Sequence, residues 1–149
     1  MKKLIVEYWI PIVAWLLVMF LFSTDMMSSS ETSRFIVPAL KFLFPDLTAS
    51  GISFWHGVIR KLAHVAEYFV LATFVYRALK FERPSLIDAK LRTIVFVALA
   101  ALLDEFHQSF VPSRTATIID VGYDCLGGVW ALWMIAAYEF RRIRSHTVL

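Results

Sequence analysis

The sequence predicts an all-α integral membrane bundle of four transmembrane helices, with a short interfacial or re-entrant helix in a long outer segment. Three observations carry this. Hydrophobic residues make up 59% of the 149 positions and charged residues only 18%, a balance unlike that of soluble domains. Four segments approach the roughly 20 apolar residues that cross a bilayer. The basic residues gather at segment ends, where they orient helices.

The first segment, residues 4–22, reads "LIVEYWIPIVAWLLVMFLF" and is broken only by Glu7 and Pro11. Its apolar run is longer than a signal-peptide core and no A-x-A site follows, so it is expected to be retained. The second, "RKLAHVAEYFVLATFVYRAL", covers 60–79. The third, "LRTIVFVALAALLDEFHQSF", covers 91–110, and the fourth, "IDVGYDCLGGVWALWMIAAYEF", covers 119–140. Each of these three has one clean apolar half.

Residues 23–59 form the outer segment. It opens with polar "STDMMSSSETS", where Ser30 or Thr32 is expected to cap a helix. "RFIVPALKFLFPDL" (34–47) is too short to span and is bounded by Pro45, so it reads as the interfacial or re-entrant helix. "ASGISFWHG" is expected as a turn, with Trp55 and His56 near headgroup level. No internal repeat interrupts the chain, and 1–149 reads as a single domain.

The basic residues set the direction. With the N-terminus cytoplasmic, Lys2, Lys3, Arg77, Lys80, Arg83, Lys90, Arg92, Arg141, Arg142 and Arg144 lie inside. Only Arg34, Lys41, Arg60, Lys61 and Arg114 lie outside. Both termini are therefore expected on the cytoplasmic side of the bacterial cell (inner) membrane. The net charge of +3 does not imply nucleic acid, because no basic stripe interleaved with aromatics is present. Cys125 is the single cysteine, so no intrachain disulfide forms and a small buried thiol is expected.

On this topology the polar residues share one membrane side. The second helix begins with Arg60, Lys61, His64, Glu67 and Tyr68. The third ends with Asp104, Glu105, His107 and Gln108. The fourth begins with Asp120 and Asp124, and Arg114 sits in the loop between the last two. Spacings of three, four, seven and eight place each set on one helical face, and Glu105 lies off that face. Gly127 and Gly128 continue the face of Asp120 and Asp124, inviting close helix approach. Taken singly, Arg60 and Lys61 fit snorkelling helix ends, His64 fits a core hydrogen-bonder, and Asp120 fits a helix cap. Glu7 and Glu139 read as interfacial, and Trp130, Trp133 and Tyr138 as lipid-facing. Together, however, so many ionisable groups at one depth imply a polar cavity, since each charge costs about 2.5–3.5 kcal/mol at a bilayer centre.

At these residues the sequence resembles the VanZ-like family of bacterial membrane proteins, named for a teicoplanin-resistance protein. The matching stretches are "RKLAHVAEY", "DEFHQSFVPSRTATIIDVGYDCLGG" and, more weakly, "FSTDMMSSSETS". Ser113 stands where the family pattern suggests glycine, a mild change in a turn. The resemblance implies a small multi-helix envelope protein, linked in one member to lower glycopeptide susceptibility. It supplies a phenotype and no reaction.

Three functions compete. The first is binding of a membrane lipid headgroup or lipid-linked envelope intermediate, with Arg60, Lys61 and Arg114 on phosphate and Tyr68 and Gln108 also in the ligand set. The second is an enzyme acting on such a lipid, with His64, Glu67, Asp104, Glu105, His107, Asp120 and Asp124 as the catalytic set and acid–base work from His107 or Glu105. These donors admit a divalent metal, although no H-E-x-x-H spacing is present. The third is a transporter or flippase, disfavoured because the inner halves are apolar.

Overall fold

The computed structural model describes residues 4–82 and 85–147, so Lys2, Lys3 and Arg83, used above for orientation, lie outside the described residues. Among the described residues, helices account for every regular element.

The chain begins with a wide π turn, Ile5–Trp9, that runs into α1, Ile10–Ser23. Pro11 explains the wide turn. It lacks an N–H, and its ring crowds the carbonyl four residues back, so the backbone loosens there. A single 3-10 turn, Asp25–Met27, leads to α2, Ser29–Leu43. Its cap is Ser28, whose hydroxyl accepts from the Glu31 amide at 3.3 Å. Ser30 and Thr32 lie inside the helix, two and four residues past the cap position, so the expected cap is corrected to Ser28. The helix also starts five residues before the expected Arg34.

The largest correction concerns "ASGISFWHG". It forms no turn. It is the first quarter of α3, Ala49–Glu82, a continuous helix of 34 residues and about 51 Å. Thr48 starts it by accepting from the Gly51 amide at 3.2 Å, and no proline follows to stop it before its end. Gly51 and Gly57 weaken a helix by about 1 kcal/mol each, a cost that packing overrides. His56 is buried, with its Nε2 3.1 Å from the Thr32 hydroxyl, which ties α2 to α3. Helix α4, Leu86–Gln108, starts five residues earlier than its expected span, and α5, Ile118–Thr147, runs past its own.

The core is built from α1, α3, α4 and α5. It joins Ile12 and Met19 to Tyr68, Leu71, Ala72, Val75, Ala78, Val97, Ala101 and Ala131. Many of these are small, which lets helices approach closely. The closest approach is at Gly127, where an added Cβ would lie 2.2 Å from the Val65 carbonyl oxygen. One residue on, Gly128 faces Val97, with an added Cβ 2.9 Å from a valine methyl. At the end opposite the polar cluster, Glu139 accepts from Lys80 and from the Tyr76 hydroxyl, and Trp9 donates to Glu82 at 3.1 Å.

Polarity is inverted relative to a soluble protein. Val13, Leu17, Phe106, Trp133 and Tyr138 are exposed, while Asp124, Glu105, Gln108 and Thr93 are buried. Burial normally runs the other way. Two helical stretches, Ile5–Ser23 and Ile118–Ser145, are long and apolar enough to cross a membrane. Helices α3 and α4, which carry most of the polar residues, are not among them.

Candidate functional site

The polar residues of α3, α4 and α5 converge. His64 Nδ1 lies 3.5 Å from Asp124 Oδ1. Asp104 joins them: one donor atom from each of His64, Asp104 and Asp124 falls within 4.8 Å of the others. Gly127 accounts for part of this. It sits three residues after Asp124, and its lack of a side chain lets α5 close on the α3 backbone at Val65, next to His64.

Asp124 is wholly buried, and neither of its oxygens has a hydrogen-bond partner. His64 Nδ1 and the Tyr68 hydroxyl are also buried without one. Such groups are costly, because desolvation is not repaid. Asp104 is oriented by Gln108 Nε2, which donates to its Oδ2 at 2.9 Å.

Other expected site residues also make contacts within the fold. Glu105 is buried and accepts from the Thr117 amide at 2.7 Å. Thr117 caps α5: its hydroxyl accepts from the Asp120 amide at 3.2 Å and donates to Asp120 Oδ2 at 2.9 Å. His107 Nδ1 is 3.3 Å from the Ser23 hydroxyl, and its ring packs 4.7 Å from that of Phe20. Lys61 Nζ lies over the Tyr123 ring at 4.3 Å. Arg114 donates to the main-chain carbonyls of Phe22 and, at 3.2 Å, Thr24, which pins the end of α1 to the α4–α5 loop. Ser113 donates to Asp25 beside it. Burial and then the positive charge of Arg60 lower the Arg114 pKa, while Asp104, Glu67 and Asp25 raise it.

Three cavities meet here. A chamber of about 130 Å³ with charged and apolar walls is lined by Arg60, His64, Glu67, Asp104 and Arg114, with Met19, Phe22, Met27 and Ser23. A wider polar cleft of about 450 Å³ shares Arg60 and His64 and adds Lys61, Gln108 and Asp120. An apolar groove of about 390 Å³ shares Met19 and Asp104 with the chamber and is walled by Leu16, Phe20, Phe96 and Leu99. Tyr68 and His107 also line it.

The VanZ/LLP1 family model matches residues 8–139. The chain belongs to the VanZ/LLP1 family. The match takes in every residue of the cluster and all but the edges of the outermost helices. No curated protein and no solved structure matches the chain. VanZ/LLP1 membership, the two spanning-length apolar helices and the apolar exterior agree on a membrane protein.

Sequence reasoning did not single out Ser23, Asp25, Ser28 or Thr117. Two of them carry a readable signal: "SSSE" and "TIID" place a hydroxyl three residues before an acid, the capping-box spacing. Ser23 and Asp25 meet their partners only through tertiary packing.

Proposed function

We propose that this VanZ/LLP1 protein is a single-domain, four-span protein of the bacterial cell membrane, with α2 at the outer interface and both termini cytoplasmic. Its outward chamber binds the phosphate of a membrane lipid or lipid-linked envelope intermediate. Occupancy of that intermediate would alter the response to glycopeptides such as teicoplanin.

One observation carries the reading: Met19 and Asp104 line both the chamber that holds Arg60 and Arg114 and the apolar groove. A charged head and an apolar chain therefore have adjoining places. Guanidinium groups suit phosphate because they offer paired N–H donors to its oxygens, and Arg60 and Arg114 both line the chamber. The groove walls, Leu16, Phe20, Phe96 and Leu99, offer an acyl or prenyl chain only hydrocarbon and aromatic surface.

The test compares a polyprenyl phosphate with the corresponding alcohol, each titrated into the purified chain in nanodiscs. The phosphate should bind at least about tenfold tighter, a difference of about 1.4 kcal/mol. Joint replacement Arg60→Gln and Arg114→Gln should erase that preference. Equal binding of phosphate and alcohol, or a preference that survives the double replacement, defeats the proposal.

A further inference from the structure

We infer that His64, Asp104 and Asp124 form a binding site for a divalent first-row cation, Zn²⁺ or Mn²⁺, at the floor of the chamber. The inference stands without the lipid reading.

The donors come from three different helices and lie within 4.8 Å of one another. Metal–ligand bonds of about 2.0–2.2 Å place neighbouring donors of a tetrahedral site roughly 3.3–3.5 Å apart. The His64–Asp124 pair, at 3.5 Å, already has that spacing. Asp104, on the neighbouring α4, closes the rest by a side-chain adjustment.

Burial supplies the second, independent observation. Asp124 has no exposed surface, and both its oxygens lack hydrogen-bond partners. Among the described residues, no lysine or arginine forms an ion pair with Asp104 or Asp124. Removing an ion from water costs several kcal/mol unless it is paired and hydrogen-bonded. Among the described residues, the ion-pair contact to Asp124 is His64 at 3.5 Å; a dication would neutralise the two carboxylates and give the Asp124 oxygens closer partners.

The surroundings favour coordination. Gln108 holds Asp104 through one oxygen, Oδ2, and leaves the other for a metal, as supporting residues commonly do. One imidazole and two carboxylates suit Zn²⁺ or Mn²⁺ better than Ca²⁺, which takes oxygen donors. Three protein ligands leave a coordination position open. His64 and Asp104 both line the chamber, so that position faces Arg60, Glu67 and Arg114 and would take water or an anion.

The experiment strips the full-length chain with chelator in detergent, confirms its helicity, and titrates Zn²⁺ and Mn²⁺ separately with metal analysis after desalting. One ion per chain is expected. Affinity should fall at least tenfold in Asp104→Asn and His64→Gln, and be unchanged in Glu139→Gln, whose carboxylate serves the opposite end of the bundle. Asp104→Cys provides a gain of signal: loaded with Co²⁺, it should show a thiolate charge-transfer band that Co²⁺-loaded wild type lacks. If His64→Gln or Asp104→Asn fails to fold, the cobalt spectrum decides. No saturable binding of either ion by folded wild type overturns the site. So does wild-type affinity in both folded variants, or the absence of the new band in Asp104→Cys.

Discussion

His64 and Asp124 face each other across α3 and α5 at 3.5 Å, and the aspartate is the more deeply buried of the two. Their unequal burial makes their replacements unequal. His64→Leu strands a buried carboxylate, and breaking a buried pair in this way costs about 3–5 kcal/mol. Asp124→Leu leaves only a partly exposed imidazole and should cost less. The double variant should be more stable than His64→Leu alone. A double-mutant cycle by detergent unfolding, with chelator present, measures this coupling. Additive effects would show that the two side chains do not interact.

Gly127 and Gly128 should respond differently to alanine. The Gly127 Cβ would meet backbone, 2.2 Å from the Val65 carbonyl, whereas the Gly128 Cβ would meet a valine methyl at 2.9 Å. Backbone can yield only if α3 and α5 separate. Overpacking of this kind costs about 1–3 kcal/mol or more. Gly127→Ala should therefore lower the melting temperature clearly more than Gly128→Ala, and should also weaken binding at the polar end. Equal effects would mean that the helices do not cross at Gly127.

Glu105 should prove structural. Its carboxylate accepts from the Thr117 amide where α5 begins. Glu105→Ala leaves that N–H without its partner, a cost of about 1–3 kcal/mol. Hydrogen exchange should quicken at the start of α5 while the phosphate preference of the folded protein persists. Loss of the preference without loss of stability would instead place Glu105 in the binding set.

Stability should rise with pH through a contact outside the expected spans. Burial, and then the charge of Arg60, hold the His56 pKa below its ordinary value of 6.5. The unfolded chain thus binds a proton more readily than the folded one near and just below pH 6.5. Stability contributed by neutral His56 is present above that pH and is lost as pH falls. Thr32 donates to the Ser28 carbonyl at 2.8 Å and so has a lone pair free for the Nε2–H of neutral His56. Melting curves between about pH 5 and pH 7.5 should show this slope in wild type and a shallower one in His56→Asn. An unchanged slope in the variant would assign it to other groups.

Much of this was legible because one-sided patterns survive folding. The i, i+4 and i, i+3 spacings of His64, Asp104, Gln108 and Asp124 fix which residues share a face, and antiparallel succession brings those faces to one end. The tandem glycines announced close packing and delivered it on two sides, against Val65 and Val97. Local polarity misled where it was weak. "ASGISFWHG" has the composition of a turn, yet its helix is held by the His56–Thr32 contact and the burial of Ile52. The contacts of Glu105 and His107 were hidden for another reason: their partners, the Thr117 amide and the Ser23 hydroxyl, belong to a loop and to another helix. An acid that caps a helix and an acid that meets a ligand look alike until the neighbour is known.

The two stretches apolar enough to cross a membrane by themselves belong to α1 and α5. On the four-span reading, α3 and α4 leave the ribosome between them, carrying His64, Glu67, Asp104 and Glu105 without the partner that α5 brings. Asp124 and the Thr117 amide are synthesised last. The middle helices would then have to wait, half inserted or sheltered by the insertion machinery, until α5 arrives. The polar site is thus also a constraint on biogenesis: truncation before α5 should leave α3 and α4 poorly integrated, however apolar their inner halves.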